Sequence, residues 1–301
     1  MVKETKKSTV KTKSKQIKVK NAENSFEYLN SLSDLDNSKI DLLESAFALS
    51  LIFLPEVNVD KYRNQVKKIE KEVKELFKNK LSKKTTKDGV TTRIKTLIEV
   101  VYKNNSFRGD KEDFENIDNI NFIRMLETRT AIPVSIGILL MHLAEKMKWE
   151  CEGINFPGHF LIRIGYESER VIIDPFENGK IMEAQDLREL LKAVMGEQAE
   201  LSHTLYEPVE KKDILLRLQN NLKSRFIELG EYDKAVLAGE TIVAFYPDEY
   251  RVYLDMGVLY AKLHKINKSV DALEKYIDMT PNQKEKQQAS ILLEQIKVTM
   301  S

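Results

Sequence analysis

Residues 130–178 read TAIPVSIGILLMHLAEKMKWECEGINFPGHFLIRIGYESERVIIDPFEN, and this stretch decides the fold. The residues from about 135 to 148 are apolar around most of a helical circumference, which is typical of a helix buried inside a domain. Two turn-forming segments, PG and GYESER, separate three stretches with strand character. These stretches are Cys151–Asn155, His159–Gly165 and Arg170–Asp174. The sequence therefore predicts an α+β fold in which a buried central helix packs on a small antiparallel sheet.

The same stretch places three polar residues in an order that is typical of nucleophilic catalysis. Ser135 lies at the start of the helix, His159 on the second strand-like stretch and Asp174 at the end of the third, at intervals of 24 and 15 residues. A Cys-His-Asp triad of the papain or transglutaminase type has this chain order, in which the acid orients the base and the base activates the nucleophile. Here a serine stands where that chemistry uses a cysteine.

Four segments carry a resemblance to a known family: FRGD at 107–110, ETRTAIPVS at 127–135, EGINFPGHFLIR at 152–163 and IDPF at 173–176. Over residues 40–300 the chain resembles the bacterial family described as regulators of SirC expression, with transglutaminase-like and tetratricopeptide (TPR) domains. Thr130 and Ala131 stand where that family usually has Arg and Gly. The resemblance implies a papain/transglutaminase-like core with N-terminal helices, an all-α TPR-like region after it, and a role in regulating gene expression.

The resemblance maps Ser135 onto the nucleophile, His159 onto the base and Asp174 onto the residue that orients the base. A cysteine thiol has a pKa of about 8.5 that a helix N-terminus lowers further. An alcohol has a pKa several units higher, and a helix dipole worth about 1 kcal/mol cannot make it a standing alkoxide. We therefore expect Ser135 to be the N-cap of the helix, accepting a hydrogen bond from a backbone N–H. The alternatives are a serine nucleophile and a polar contact to a ligand.

The other residues of the site also have alternative interpretations. His159 is either a structural or ligand-binding histidine or a general base. Asp174 can begin the Asp-Pro-Phe turn, and we expect it to face His159. Cys151 could be proposed as a replacement nucleophile, but it lies on a predicted strand, away from any helix N-terminus, so we expect a buried apolar role for it.

Charge is unevenly distributed along the chain. Residues 1–20 contain eight lysines and one acidic residue, about +7, so the rest of a chain of net charge +1 carries about −6. Residues 1–21 are predicted to be a disordered basic tail with a solubilising role; the alternative is an arm that binds a nucleic acid or another acidic partner. Because the remaining chain is acidic, we do not expect a nucleic-acid partner. Residues 22–205 are predicted to hold N-terminal helices and the core, since apolar residues recur at helical spacing in 40–51, 62–77 and 94–101.

The C-terminal region, residues 206–301, has a repeat of 34 residues. Gly230, Tyr232, Ala235 and Pro247 match the second half of a TPR unit. A shift of 34 leads to His264, Ile266, Ser269 and Pro281, and a closing helix is expected over 283–300. Two such units predict a protein or peptide partner for this region, with Phe226 and Tyr260 as groove or packing aromatics. The alternative is that the region only braces the core by packing against it.

The composition excludes several classes of function. The sequence contains no run of about 18 apolar residues, so we do not expect a membrane span. Its one cysteine and four scattered histidines do not form a ligand cluster, so we expect neither a metal site nor a cofactor. A single cysteine excludes an intramolecular disulfide and favours a cytoplasmic location. The favoured hypothesis is a non-enzymatic binding, scaffolding or regulatory protein built on a degenerate core. The alternatives are a hydrolase or acyl-transfer enzyme that uses Ser135, His159 and Asp174, and a regulator of gene expression.

Overall fold

The structure of the chain, a computed structural model, describes residues 18–83, 85–113 and 115–298. The α-helices of the described residues are Ala22–Asn30 (α1), Leu42–Phe53 (α2), Val59–Leu81 (α3), Val90–Ile98 (α4), Phe122–Thr128 (α5), Pro133–Lys146 (α6), Ala184–Met195 (α7), Lys211–Glu228 (α8), Tyr232–Phe245 (α9), Arg251–Lys262 (α10), Ile266–Met279 (α11) and Gln283–Val298 (α12). The strands are Arg108–Gly109 (β1), Thr130–Ala131 (β2), Glu150–Ile154 (β3), Leu161–Tyr166 (β4), Glu169–Asp174 (β5) and Lys180–Ile181 (β6).

The predicted central helix is α6, and every residue from Pro133 to Ala144 is buried. It packs against β3 and β4 and also contacts α2, α3 and α8. The sheet is antiparallel with the strand order β3-β4-β5-β6. The ring of Phe160 lies against α6 at Gly137, where a Cβ atom would be only 2.5 Å from its Cε1. The predicted α+β fold, with a buried central helix on a small antiparallel sheet, is confirmed.

The strand boundaries differ from the predicted ones for local reasons. The predicted strands correspond to β3, β4 and β5, but β4 begins only at Leu161. His159 lies in the preceding turn, where its N–H donates to the Phe156 carbonyl at 2.9 Å. The sequence did not predict β6 or the parallel pair β1–β2, because two-residue strands leave no periodic pattern.

The N-terminal helices start from a segment that was predicted to be disordered. That prediction covers residues 1–21, of which 1–17 lie outside the described residues. Val19 is fully buried, its carbonyl accepts a hydrogen bond from Arg63 at 2.6 Å, and its N–H donates to Glu44 at 3.2 Å. The packed part of the chain therefore reaches back to Val19.

The C-terminal helices α8 to α12 pack so that each contacts the next along the chain. α9 begins at Tyr232 and α11 at Ile266, 34 positions later. Gly257 lets α10 approach α11 closely, because a Cβ atom there would lie 2.6 Å from Cγ of Leu273. The Ser269 hydroxyl donates to the Gly257 carbonyl at 2.7 Å. The helical C-terminal region is confirmed, whereas its assignment as TPR repeats stays a prediction.

The helical region and the core share one hydrophobic interior, since α8 packs on α2 and α6. The proposed boundary between residues 205 and 206 stays a prediction. Across the described ranges, none of the helices combines the length and the apolar character needed to span a membrane.

Candidate functional site

Ser135 is the third residue of α6, because the helix begins two residues earlier than the expected N-cap. Ile132 occupies the N-cap position and Pro133 follows it. Proline suits the first position of a helix, since its fixed φ is already helical and its missing N–H has no intrahelical partner there. The Ser135 hydroxyl is fully buried and donates to the carbonyl of Ile120 at 3.2 Å. The expectation that Ser135 caps the helix as an acceptor is therefore wrong.

His159 and Asp174 lie together at the end of the sheet. Nε2 of His159 is 2.9 Å from the Asp174 carboxylate. Because an ionised carboxylate only accepts hydrogen bonds, Nε2 is the donor in this contact, and in the neutral tautomer that fits it Nδ1 is the acceptor. The His159 side chain is 16% exposed and that of Asp174 only 4%, so the pair sits just below the surface. Phe176 contacts the imidazole edge to face, with the ring centroids 6.1 Å apart.

Asp174 also begins the turn that follows β5. Its Oδ1 accepts hydrogen bonds from the backbone N–H of Phe176 at 2.8 Å and of Glu177 at 3.3 Å. The two roles that the sequence offered for Asp174 are thus filled by the same carboxylate. The charge of Asp174 acts on its neighbours as well: burial, and after it this carboxylate, raise the pKa of Tyr102 well above its usual range. The Tyr102 hydroxyl donates to the Pro175 carbonyl at 2.8 Å.

The structure brings together two of the three residues that the sequence singled out. Among the described residues no hydrogen bond joins Ser135 to His159, and the buried Ser135 hydroxyl is directed at Ile120. Nucleophilic catalysis by serine requires a hydroxyl that faces the substrate and donates to the base. The arrangement can orient an imidazole, but it does not present the serine as a nucleophile.

A cavity of about 400 Å³ opens beside the first turn of α6. One side is formed by Pro133, Val134 and Gly158, the residue before His159. The other side is formed by polar residues of α8, among them Arg217 and Asn221. Sequence reasoning missed these two residues because α8 reads as an ordinary solvated helix, and its position beside α6 depends on contacts that are distant in the chain.

Cys151 lies on β3 and is an unreactive thiol in this environment. Burial, together with the nearby Glu152 carboxylate, raises the pKa of its thiol to about 12. Because the thiolate is the reactive form, this raised pKa slows alkylation of the partly buried thiol at pH 8. The structure thus gives Cys151 no role in the site.

We expect iodoacetamide at pH 8 to modify Cys151 in the native protein roughly 100-fold more slowly than in urea-unfolded protein. Cys151 is the only cysteine of the chain, so mass spectrometry of the intact protein measures the rate directly. Equal rates in the native and unfolded states would contradict the raised pKa of the Cys151 thiol.

Within the described residues, no group of three or more His, Cys, Asp or Glu side chains could hold a metal ion. Three charged residues of the cavity are instead arranged as ion pairs. Arg225 pairs with Glu228 at 2.6 Å and with Glu115 at 3.2 Å.

Residues 60–220 match the family described as the transglutaminase-like superfamily, which is more than half of the chain. The matched region ends inside α8 and includes Arg217. The chain is 27% identical over 252 residues to a UPF0162 protein of Vibrio cholerae, covering 83% of this chain and 90% of the relative. It is 23% identical over 190 residues to the protein SirB1 of Salmonella typhimurium, covering 63% and 70%.

One similarity to a solved structure is weak. The crystal structure of menin aligns with 86% of this chain and 70% of its own, at 9% identity and a TM-score of 0.39. A similarity at this level has no bearing on fold or function.

Proposed function

Since this chain belongs to the transglutaminase-like superfamily, we propose that it is a non-enzymatic regulatory protein that uses the superfamily's fold to bind a protein or peptide. Membership in the superfamily and the similarity to SirB1 fit a regulatory role. The proposed binding region is the cavity beside α6 together with the helices from α8 onward.

The placement of Ser135 is the observation that carries this proposal. A serine nucleophile needs an accessible Oγ whose proton passes to the base as the bond to the substrate forms. The Ser135 hydroxyl has no exposed surface and its proton is held by the Ile120 carbonyl at 3.2 Å. The His159–Asp174 pair is then a structural remnant of the superfamily's site, held in place by the turn that Asp174 begins.

The aromatic residues of the C-terminal helices support binding through polar rather than aromatic surfaces. Phe226 and Tyr260 are both buried. Phe226 packs on Phe53 with the ring centroids 5.3 Å apart, and the Tyr260 hydroxyl donates to Glu240 at 2.9 Å. We therefore assign both residues to packing and place the partner on the polar face of α8.

We expect a fluorophosphonate probe to leave the native protein unlabelled, because the Ser135 hydroxyl is inaccessible. The measurement is intact-protein mass spectrometry after incubation, with a serine hydrolase as a positive control.

A second experiment uses the variant Ser135→Cys combined with Cys151→Ala, which places the only thiol of the chain at the nucleophile position. We expect iodoacetamide to modify this thiol only slowly in the native state, since it is buried like the hydroxyl it replaces.

The competing function is a hydrolase or acyl-transfer enzyme, and the 2.9 Å His159–Asp174 contact beside a cavity favours it. Labelling by fluorophosphonate that disappears in Ser135→Ala would establish that enzyme. Rapid alkylation of the Ser135→Cys thiol that slows on changing His159→Ala would likewise show an assembled nucleophile and base. Either result would overturn the non-enzymatic proposal.

A further inference from the structure

A second cavity, of about 380 Å³, lies between α8 and the first turns of α10. It shares two lining residues with the cavity beside α6, Arg217 and Asn221. These residues are one helical turn apart on α8, so they lie on the same face of that helix. The Arg217 guanidinium therefore stands where the two cavities meet.

Arg217 differs from the other cations around these cavities because it has no carboxylate partner. The other three cations each form an ion pair: Arg225 with Glu228, Arg251 with Glu249, and Lys223 with Asp255. Across the described parts of the chain, no carboxylate lies within ion-pair distance of Arg217. Its guanidinium donates one hydrogen bond, to the side-chain oxygen of Asn155 in the β3–β4 loop.

The environment of Arg217 favours an anionic ligand. Burial of its side chain lowers the pKa of the guanidinium, and no charged neighbour offsets this effect. A partly buried cation without a counter-charge is costly, and a carboxylate brought to it would relieve that cost. A guanidinium presents its N–H groups as a planar fork that matches the two oxygens of a carboxylate.

The rest of the lining favours a peptide over a nucleic acid. Carboxylates line both cavities and would repel a chain of phosphates more strongly than a single carboxylate. They are Glu115 and Glu228 in one cavity and Asp213, Glu249 and Asp255 in the other. Asn220 and Asn221 offer both donors and acceptors, as the backbone of a peptide requires. The apolar wall of Ile120, Ile132, Pro133 and Val134 is suited to an aliphatic side chain.

We propose that Arg217 binds a carboxylate of a peptide segment that lies across both cavities, with an apolar residue of that segment against the start of α6. The carboxylate is either the C-terminus of the segment or an Asp or Glu side chain within it. This inference rests on the proposed function, since it names the chemical group by which the partner is held.

The test uses the full chain and an array of synthetic 12-residue peptides of random sequence, each made with a free and with an amidated C-terminus. The strongest binders are remade with an N-terminal fluorescein, and their Kd is measured by fluorescence anisotropy. The variants are Arg217→Gln, Arg217→Lys, and Arg188→Gln as a matched control on the exposed face of α7. Thermal unfolding of each variant establishes that it is folded.

We expect binders that carry a carboxylate next to an apolar residue, and roughly tenfold or greater weakening in Arg217→Gln. Arg217→Lys should retain part of the affinity, because it keeps the charge but loses the fork, and Arg188→Gln should bind like the wild type. Loss of binding on amidation identifies the C-terminus as the ligand group. Binding that survives amidation but is lost on replacing an Asp or Glu with its amide identifies a side chain.

Two outcomes separate this inference from the proposed function. If the wild-type protein binds peptides and Arg217→Gln binds them equally well, the role of Arg217 is overturned and the proposed function stands. If the wild-type protein binds none of the peptides, the proposed peptide-binding function fails and the inference fails with it.

Discussion

Replacing Phe160 with alanine is expected to lower the free energy of unfolding by about 4 kcal/mol. Phe160 is fully buried and follows His159 directly in the chain. Its ring contacts both layers of the core: a Cβ atom at Gly137 of α6 would lie 2.5 Å from it, and one at Gly153 of β3 would lie 2.9 Å away. Removing the ring leaves a cavity between helix and sheet that neither glycine can fill.

The measurement is urea unfolding of the wild type and the variant, with the slope of each transition compared to establish two-state behaviour. Phe26→Ala is a matched control, because the same side chain is removed from a partly buried position at the edge of the core. We expect Phe26→Ala to cost less than half as much as Phe160→Ala. Equal costs would mean that the contact between α6 and the sheet does not depend on the ring.

The elements around Phe160 are also those that the sequence predicted well. α6 and the strands β3 to β5 follow one another within about 40 residues, and each has its own local signal: an apolar helix, alternating strands and turn residues. Such patterns depend on near neighbours in the chain. The predicted fold was therefore correct, while the strand start near His159 was displaced by a turn hydrogen bond.

The direction of the Ser135 hydroxyl could not be predicted in the same way. Its acceptor, the Ile120 carbonyl, lies 15 positions earlier, at the end of a short 3-10 helix that precedes α5. Whether a serine near a helix start caps the helix, faces a cavity or donates to a distant carbonyl depends on how that segment folds back. The resemblance to a family identified Ser135 as the residue at the nucleophile position, but it did not predict which groups Ser135 contacts.

Arg217 shows a second limit of sequence reasoning. Its surroundings in the chain, KKDILLRLQNNLKSR, are typical of an amphipathic helix with a solvated polar face. Arg217 differs from the neighbouring cations because it has no carboxylate partner among the described residues and lies beside two cavities. Both features depend on the elements that surround it, which are α6, the β3–β4 loop and α10. These contacts span residues that are far apart in the chain, so no local pattern reports them.

The second large effect is expected at Asp174, where alanine should cost about 3 kcal/mol of unfolding free energy. The carboxylate is buried and serves three donors: Nε2 of His159 at 2.9 Å and the backbone N–H groups of Phe176 and Glu177 at 2.8 and 3.3 Å. Alanine leaves all three without their acceptor. Asparagine keeps an oxygen of similar size and position, so Asp174→Asn should cost about 1 kcal/mol, from the lost charge.

Comparison of the two variants distinguishes a structural carboxylate from a catalytic one. If Asp174 mainly holds the turn and the imidazole, Asp174→Asn will retain most of the stability, and its peptide affinity will equal that of the wild type, because Gly158 keeps its place in the cavity wall. Urea unfolding and fluorescence anisotropy measure these two quantities. A catalytic carboxylate behaves differently, since an amide at that position disfavours the tautomer of His159 that accepts a proton. Full stability in Asp174→Asn, combined with loss of a fluorophosphonate reaction present in the wild type, would therefore identify a working triad and overturn the structural assignment.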